Sequence, residues 1–262
     1  MLTLRNVNIT FYPGTVNERR ALQDVNLQLE AGDFVTVIGS NGAGKSTMLN
    51  AISGAYAVDS GRILLGDEDI TYQKEYKRAA KIGRLFQDPM KGTAPSMTIE
   101  ENLGLAYLRG KKRGIASGIR KSDEQSFREL LASLDLGLEE RLKTPVQLLS
   151  GGQRQALTLL MATIVTPELL LLDEHTAALD PKTARQVMKL TEGIVAKNRI
   201  TTLMITHNIK DALSYGNKTI VMSQGRIVLE LSGSEREAMT IEELMKLYST
   251  TAHDSFTDKM VL

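Results

Sequence analysis

A glycine-rich turn at residues 39–46 follows a short apolar run and precedes a helical pattern. Phe34–Ile38 is predicted as a buried strand, and residues 46–53 as a helix that ends at Gly54. Glycines let the backbone approach a ligand closely, and the first N–H groups of a helix point outward, so this turn suits a bound phosphate. The order of strand, glycine turn and helix therefore predicts a phosphate loop within an α/β sheet.

The turn has the full spacing G-x-x-x-x-G-K-S, which assigns separate tasks to its side chains. Lys45 would reach the β- and γ-phosphates of a nucleotide, the backbone N–H groups would surround them, and Ser46 would ligate Mg²⁺. The alternative is a glycine-rich turn with an incidental lysine, and the flanking strand and helix argue against it. The residues predicted to contact the nucleotide here are Gly39, Ser40, Asn41, Gly42, Ala43, Gly44, Lys45, Ser46 and Thr47.

A second glycine turn, Leu149-Ser150-Gly151-Gly152-Gln153, also precedes a predicted helix but carries no lysine. It suits an anion for the same reasons as the first turn. A single triphosphate has little use for two separate cradles. The surplus predicts a nucleotide shared between two copies of the chain.

Two acidic residues follow the unbroken apolar run of residues 169–172, which is typical of a buried parallel strand. A phosphate loop needs a carboxylate for its magnesium at the end of a neighbouring strand, and Asp173 fits that requirement, holding the metal through water. Glu174 would sit beside the γ-phosphate and polarise the attacking water as a general base. On their own, two acids could equally be a solvated strand end.

His207 follows another predicted strand, residues 201–205. It could contact the γ-phosphate and orient Glu174 or the attacking water. A lone histidine at a strand end is more often a plain polar residue, so its place in the ordered set of motifs carries this assignment.

The remaining pattern predicts β structure at the start, helices in the middle and α/β structure afterwards. Residues 4–12 and the alternating Val25, Leu27 and Leu29 predict antiparallel strands. Apolar residues at helical spacing predict a mostly helical insert from about residue 90 to 160. One of its helices is predicted from Phe127, Leu130, Leu131, Leu134 and Leu138, and another from Leu157, Leu160, Met161, Ile164 and Val165. A helix over 181–197, a hairpin over 219–231 and a last helix over 241–248 complete the prediction.

Composition limits the classes of partner. With 32 Lys and Arg against 31 Asp and Glu, the formal net charge is +1, so no whole-chain field favours nucleic acid or a membrane surface. The absence of cysteine excludes disulfide and thiol chemistry and fits a reducing compartment. No apolar signal core or spanning stretch is present, so any membrane role is expected to be peripheral.

The order of these motifs resembles that of the ATP-binding cassette ATPases: the phosphate loop, Gln87, Leu-Ser-Gly-Gly-Gln at 149–153, Asp173-Glu174, Ala-Leu-Asp at 178–180 and His207. The resemblance covers residues 2–250. It implies an α/β phosphate-loop NTPase core of mostly parallel sheet, with an N-terminal antiparallel β subdomain and an inserted helical subdomain. It also implies a single domain over residues 1–262, divided into a core at 1–89 and 160–250, a helical subdomain at 90–159 and a tail at 251–262.

The same resemblance implies roles for further residues. Tyr12 would stack on adenine, with Phe11 as the less favoured candidate. Gln87 would sense Mg²⁺ and the attacking water. Ser150, Gly151, Gly152 and Gln153 would bind the γ-phosphate of ATP held by the opposite subunit, and Asp180 would lie at that interface.

One residue departs from the family pattern, and one basic segment has no role in it. Many cassettes have proline after the catalytic glutamate, where this chain has His175. This histidine could titrate near the site, but a simple turn substitution is the favoured interpretation. Residues 109–113 carry four positive charges, which form either a solvated loop or a contact with anionic lipid headgroups or an acidic partner.

The resemblance implies an ATPase subunit that binds ATP and Mg²⁺, dimerises head-to-tail and drives separate permease subunits from the cytoplasmic face of the cell membrane. Solute import, of an amino acid or related solute with an extracytoplasmic solute-binding protein, is favoured over export. A cassette protein acting on nucleic acid or ribosomes is the alternative from another class. It fits less well because the motifs occur once and the gap between the two glycine turns is short. A phosphate-loop kinase would leave the second glycine turn unexplained.

Overall fold

The computed structural model describes residues 1–111 and 121–252. The chain forms two compact units, the first from Met1–Arg78 and the chain from Arg199 onward, the second from Ala79–Asn198. The predicted helical subdomain, residues 90–159, falls within the second unit. Among the helices of the described ranges, none is long and apolar enough to cross a bilayer.

The secondary structure follows the predicted order along the chain. The strands are β1 (Leu2–Phe11), β2 (Arg19–Leu29), β3 (Phe34–Ile38), β4 (Ser60–Leu65), β5 (Glu68–Asp69), β6 (Ile82–Leu85), β7 (Leu169–Asp173), β8 (Thr201–Ile205), β9 (Lys218–Ser223) and β10 (Arg226–Ser232). The helices are α1 (Lys45–Ser53), α2 (Glu75–Arg78), α3 (Ile99–Tyr107), α4 (Lys121–Ala132), α5 (Gly151–Thr163), α6 (Pro181–Asn198), α7 (Ile209–Ser214), α8 (Gly233–Ala238) and α9 (Ile241–Ala252).

An antiparallel sheet of order β2-β1-β4-β5 opens the first unit. In β2 the residues Val25, Leu27 and Leu29 are buried while those between them are exposed, as the alternation predicts. Strands β1 and β2 pair antiparallel, with Leu4 opposite Leu27. The predicted antiparallel region is confirmed.

The strands of the first unit that lie outside the antiparallel sheet have the order β10-β9-β3-β8. Strand β3 lies between β9 and β8, and all five of its residues are buried. Both of these neighbours run parallel to β3, with Val37 opposite Ile205 and Ile38 opposite Val221. Because parallel strands end at the same edge of a sheet, the segments that follow β3 and β8 emerge side by side. The Thr206 N–H donates to Val37 O at 3.1 Å and fixes this edge.

The second unit combines a parallel strand pair with helices. Strands β6 and β7 pair parallel, with Leu85 opposite Leu172. Helices α3, α4 and α5 enclose an apolar core that includes Phe127 and Leu157. The first four residues of β7 are buried, as its unbroken apolar run predicts.

One predicted helix ends earlier than its apolar spacing indicates. Helix α4 stops at Ala132, and Asp135 and Gly137 then take positive φ values of 53° and 66° that reverse the chain. Leu134 and Leu138 are nevertheless fully buried in the same core. The helix was therefore predicted to end too late, at residue 138. Leucines that follow the helix in a turn can be buried in the same core and keep the sequence spacing of a helix.

Candidate nucleotide-binding site

The phosphate loop connects the end of β3 to the start of α1, as predicted. Gly39 has φ 153°, and a Cβ added there would lie 2.2 Å from Met222 O. At Gly44, with φ 103°, an added Cβ would lie 2.7 Å from Ala21 O. Backbone atoms cannot yield as a flexible side chain can, so both positions require glycine. The two glycines keep the loop backbone close to β9 and β2.

Lys45 is held against the loop that it follows. It is 6% exposed, and its Nζ donates to Gly39 O at 2.6 Å and to Ser40 O at 3.0 Å. The first N–H groups of a helix lie beyond the reach of its own ladder of hydrogen bonds, and Ser46, in the first turn of α1, is exposed. The loop thus combines an ammonium group with helix N–H donors, which is the chemistry that binds a polyphosphate.

Three contacts that the sequence analysis did not identify support the loop from outside. The turn between β9 and β10 contributes Gly225 N, which donates to Ala43 O at 2.9 Å. The Arg19 guanidinium donates to Gly42 O at 2.8 Å, and Ser40 N donates to the Tyr248 hydroxyl at 3.2 Å. The Gln224-Gly225 dipeptide signals a turn in the sequence, but no local pattern indicates that this turn, Arg19 or Tyr248 meets the loop.

The two aromatic candidates for the adenine contact differ in their surroundings. The Phe11 ring packs edge-on against Tyr56, with a centroid distance of 5.4 Å. Tyr12, at φ 53°, is 70% exposed. An exposed ring is able to stack on a planar base, whereas a ring already packed in a T-shaped pair is less free to do so. The geometry favours Tyr12, as the sequence analysis does.

His207 follows β8 at the same edge of the sheet where β3 enters the phosphate loop, and it is half-buried. Burial raises the pKa of the neighbouring Asp211 carboxyl, and the charges of His207 and Lys210 oppose that rise. The first unit therefore places His207, Lys45 and the loop glycines along one strand edge.

In the second unit, Gln87 and the acidic pair follow the paired strands β6 and β7. Because Leu85 lies opposite Leu172, Gln87 and Glu174 both come two residues after this pair, at one edge. Gln87 is exposed, while Asp173 and Glu174 are half-buried. Glu174 has φ 45°, a left-handed conformation that is uncommon for a residue with a side chain. Such strain occurs often at functional sites.

His175 points into the second unit and is 2% exposed. Its Nε2 lies 3.3 Å from Thr191 Oγ1, and the Thr191 hydroxyl donates to Val187 O at 2.9 Å. A hydroxyl has one proton, so Thr191 accepts a hydrogen bond from His175 Nε2–H. Burial lowers the pKa of His175 to about 4. His175 is thus a buried, neutral side chain that is hydrogen-bonded to α6. The interpretation as a simple turn substitution did not include this buried contact.

The second glycine turn caps α5. The Ser150 hydroxyl accepts a hydrogen bond from Gln153 N at 3.3 Å, and Ser150 N donates to Gln153 Oε1 at 3.2 Å, which forms a capping box. Ser150 and Gly151 are exposed, whereas Gly152 is buried. Gln153 is thus a capping residue here, and the exposed part of the turn consists of Ser150 and Gly151.

Asp180 caps α6 in the same unit. Its Oδ1 accepts hydrogen bonds from Lys182 N and Thr183 N, both at 3.1 Å. Hydrogen bonds from Thr183 lower the pKa of this carboxyl, so it is a stable carboxylate. The structure gives Asp180 a role within its own chain, and its predicted place at a subunit interface stays a prediction.

The basic segment 109–113 lies partly outside the described residues, which end at Lys111 before resuming at Lys121. Within the described part, the Arg109 guanidinium donates to Ala162 O and Val165 O at the end of α5. Lys111 Nζ lies 3.4 Å from the centre of the Tyr107 ring. Arg109 is therefore a half-buried residue that caps the end of α5, with its guanidinium engaged within the chain.

The predicted magnesium ligands agree in chemistry with that ion. Ser46, Gln87 and Asp173 supply hydroxyl, amide and carboxylate oxygens, the hard donors that Mg²⁺ prefers. Among the described residues, no group of three or more His, Cys, Asp and Glu side chains could hold a metal. The donor set fits an ion that takes its remaining ligands from phosphate oxygens and water.

Comparisons with known proteins give the family. Residues 22–177 match the sequence profile described as ABC transporter. A tyrosine transport ATP-binding protein of Clostridioides difficile (strain R20291) is 45% identical over 249 residues, covering 95% of this chain and 98% of that protein. A phosphonates import ATP-binding protein of Rhodopseudomonas palustris (strain BisB18) is 33% identical, covering 92% of this chain and 90% of that protein.

Among solved structures, a dimeric ATP-binding cassette in a post-hydrolysis state, bound to ADP and Pi, superposes with a TM-score of 0.74. It is 31% identical and covers 88% of this chain and 98% of that chain. Fold, motif order and sequence thus agree over most of the molecule. The chain belongs to the ABC transporter family and is the ATP-hydrolysing subunit of a membrane transporter.

Proposed function

We propose that two copies of this chain close head-to-tail around two ATP molecules, each held between the phosphate loop of one copy and residues 150–153 of the other. The observation that carries this proposal is the exposed Ser150–Gly151 pair at the start of the 13-residue helix α5. Gly151 is the first residue of that helix, whose opening N–H groups suit an anion, and it lies in a described unit that does not include the phosphate loop. The likeness to a dimeric cassette bound to ADP and Pi supports the same arrangement.

Each site residue then has a defined task. Lys45 and the loop N–H groups neutralise the phosphates, and Tyr12 stacks on adenine. Glu174 accepts a proton from the attacking water, while Gln87 and His207 orient that water and the γ-phosphate. Gly151 and Ser150 complete the phosphate site of the partner copy.

Mg²⁺ would be held by Ser46 and Asp173, with Gln87 as a further contact. When bound, the ion would neutralise charge that develops on the phosphate oxygens during hydrolysis. Ser46 and Gln87 are exposed, which suits an ion that keeps part of its water shell.

The transport step is the import of an amino acid or related small solute, carried out by separate permease subunits with an extracytoplasmic solute-binding protein. ATP favours the closed dimer, and this differential binding shifts the permease between its two conformations. The 45% identity to a tyrosine transport ATP-binding protein supports an amino-acid substrate. The chain then works at the cytoplasmic face of the cell membrane, bound through the permease.

Purification of the tagged chain from native membranes, followed by identification of the permease and binding protein, tests this assignment. Co-purification of an exporter would contradict it.

Mixing two inactive variants tests the shared site directly. Lys45→Ala disables the phosphate loop, and Gly151→Asp disables the second glycine turn. In a mixed dimer one of the two sites combines an intact loop with an intact turn, so phosphate release should return on mixing. If all parts of the site came from one chain, the mixture would remain as inactive as its components.

A further inference from the structure

A buried side chain of the last described helix, α9, contacts the start of the phosphate loop. Tyr248 is 1% exposed and packs in a cluster with Ile38, Ile209 and Leu244. Its hydroxyl accepts a hydrogen bond from Ser40 N at 3.2 Å. Ile38 ends β3 directly before the loop, so Tyr248 contacts both the strand end and the loop.

The apolar cluster explains the ring of Tyr248 but not its hydroxyl. Leucine or phenylalanine would fill the same apolar space without bringing a polar atom into the interior, which costs stability unless the atom is hydrogen-bonded. The hydroxyl meets this requirement by accepting the Ser40 N–H. The tyrosine therefore suits a contact with the loop better than a packing role alone.

The peptide group that Tyr248 contacts is also the one that Lys45 contacts. Ser40 N and Gly39 O belong to the same planar peptide, and Lys45 Nζ donates to Gly39 O at 2.6 Å. On a third side, Met222 O leaves no room for a side chain at Gly39. Tyr248, Lys45 and the β9 backbone together fix the orientation of this peptide.

A bound nucleotide would compete with the loop carbonyls for the three N–H donors of the Lys45 ammonium. The hydrogen bond from Ser40 N to Tyr248 holds the same peptide from its other end, independently of Lys45. We propose that Tyr248 is a positioning residue for nucleotide binding: its hydroxyl keeps the phosphate loop in its binding conformation and couples α9 to Lys45. This inference rests on the proposed nucleotide site.

Tyr248→Phe in the full chain removes only the hydroxyl. A fluorescent ATP analogue should bind this variant about two- to tenfold more weakly, the range expected for one neutral hydrogen bond. The KM for ATP should rise by a similar factor, and kcat should change less, because the loop itself and Glu174 are intact. Unchanged nucleotide affinity in Tyr248→Phe would overturn the inference.

Leu244→Val provides the matched control, since Leu244 lies on the same helix in the same cluster and Val preserves its apolar character. It should lower thermal stability while leaving nucleotide affinity within twofold of the parent chain. An equal loss of affinity in both variants would mean that Tyr248 acts through packing alone and would also overturn the inference. Lys45→Ala separates the two proposals: retained nucleotide affinity in that variant contradicts the nucleotide site itself, whatever Tyr248→Phe does.

Discussion

Gly152, near the start of α5, lies against Thr183 in the first turn of α6: a Cβ added at residue 152 would lie 2.2 Å from Thr183 Cγ2. Thr183 also donates to Asp180, whose carboxylate caps α6. The second of the two adjacent glycines is therefore a packing residue that joins two helix starts. Gly151, by contrast, is exposed, and an added Cβ there would lie 3.3 Å from Leu179 Cδ2, the tip of a flexible side chain.

We expect Gly152→Ala to destabilise the protein by about 1–3 kcal/mol, because the new methyl group overlaps Thr183. Thr183→Ser removes Cγ2 and keeps the hydroxyl, so the double variant should recover part of that loss. Urea unfolding of the four proteins of this double-mutant cycle measures the coupling. Purely additive effects would show that the two side chains do not compete for space.

Gly151→Asp should keep the fold and lose the activity. A carboxylate in the first turn of α5 stabilises the helix by about 0.3–1 kcal/mol, but it repels a triphosphate presented to the same N–H groups. Phosphate release should fall to background, while nucleotide binding to the isolated chain stays nearly intact. Loss of nucleotide binding in this variant would contradict the sharing of a site between two copies.

Glu174→Gln should lower the rate of phosphate release by about 10²- to 10⁴-fold, the usual contribution of a general base. Glutamine has nearly the same shape, so nucleotide binding should persist and the closed dimer should accumulate with ATP and Mg²⁺. Light scattering with and without nucleotide measures this change.

A control for Glu174→Gln is available on the same strand segment. Glu168→Gln alters a surface ion pair with Lys81 just before β7 and should leave both the rate and the oligomeric state close to those of the parent chain. A Glu174→Gln chain that stays monomeric with ATP and Mg²⁺ would count against the proposed dimer.

His175 should make stability depend on pH between about 6.5 and 4. The unfolded histidine binds a proton below its ordinary pKa of 6.5, whereas the buried side chain resists protonation until about pH 4. Its contribution to stability is therefore complete above pH 6.5 and is lost as the pH falls. Between pH 7.5 and 5.0 this loss amounts to about 2 kcal/mol.

His175→Met isolates that effect, because methionine is apolar and does not titrate. As the pH falls to 5.0, the parent chain should lose the contribution of His175 to its unfolding free energy, whereas the variant has no such contribution to lose. The unfolding free energy of the parent chain should therefore fall relative to that of the variant. A difference that is independent of pH would show that His175 titrates alike in the folded and unfolded chains.

Arg109→Lys should destabilise the protein by about 1–2 kcal/mol although it keeps the charge. The guanidinium donates from two terminal nitrogens held in a planar fork, one to Ala162 O and the other to Val165 O, and a lysine ammonium lacks that fork. Lys111→Ala, which removes an exposed cation over the Tyr107 ring, should cost less than about 1 kcal/mol. Thermal unfolding compares the two variants. Equal effects would contradict the internal role of Arg109.

Much of the fold and the main site motifs could be predicted because they depend on short-range sequence patterns. The phosphate loop requires glycine at fixed spacing, and β7 requires an unbroken apolar run before Asp173. Helix ends were harder to predict. Leu138 continues the apolar spacing of α4 from beyond the turn at Asp135 and Gly137, so a one-dimensional pattern cannot distinguish the helix from the turn.

The sequence by itself determined the family, the order of strands and helices and the residues with chemistry at their strand ends. Only the tertiary structure decided which of these residues have structural partners. Tyr248 meets Ser40 across 208 positions of chain, Gly152 meets Thr183 on another helix, and His175 becomes neutral because it is buried against α6. The physical reason is that local patterns set backbone conformation, whereas burial, hydrogen-bond partners and pKa values depend on what folding brings alongside each side chain.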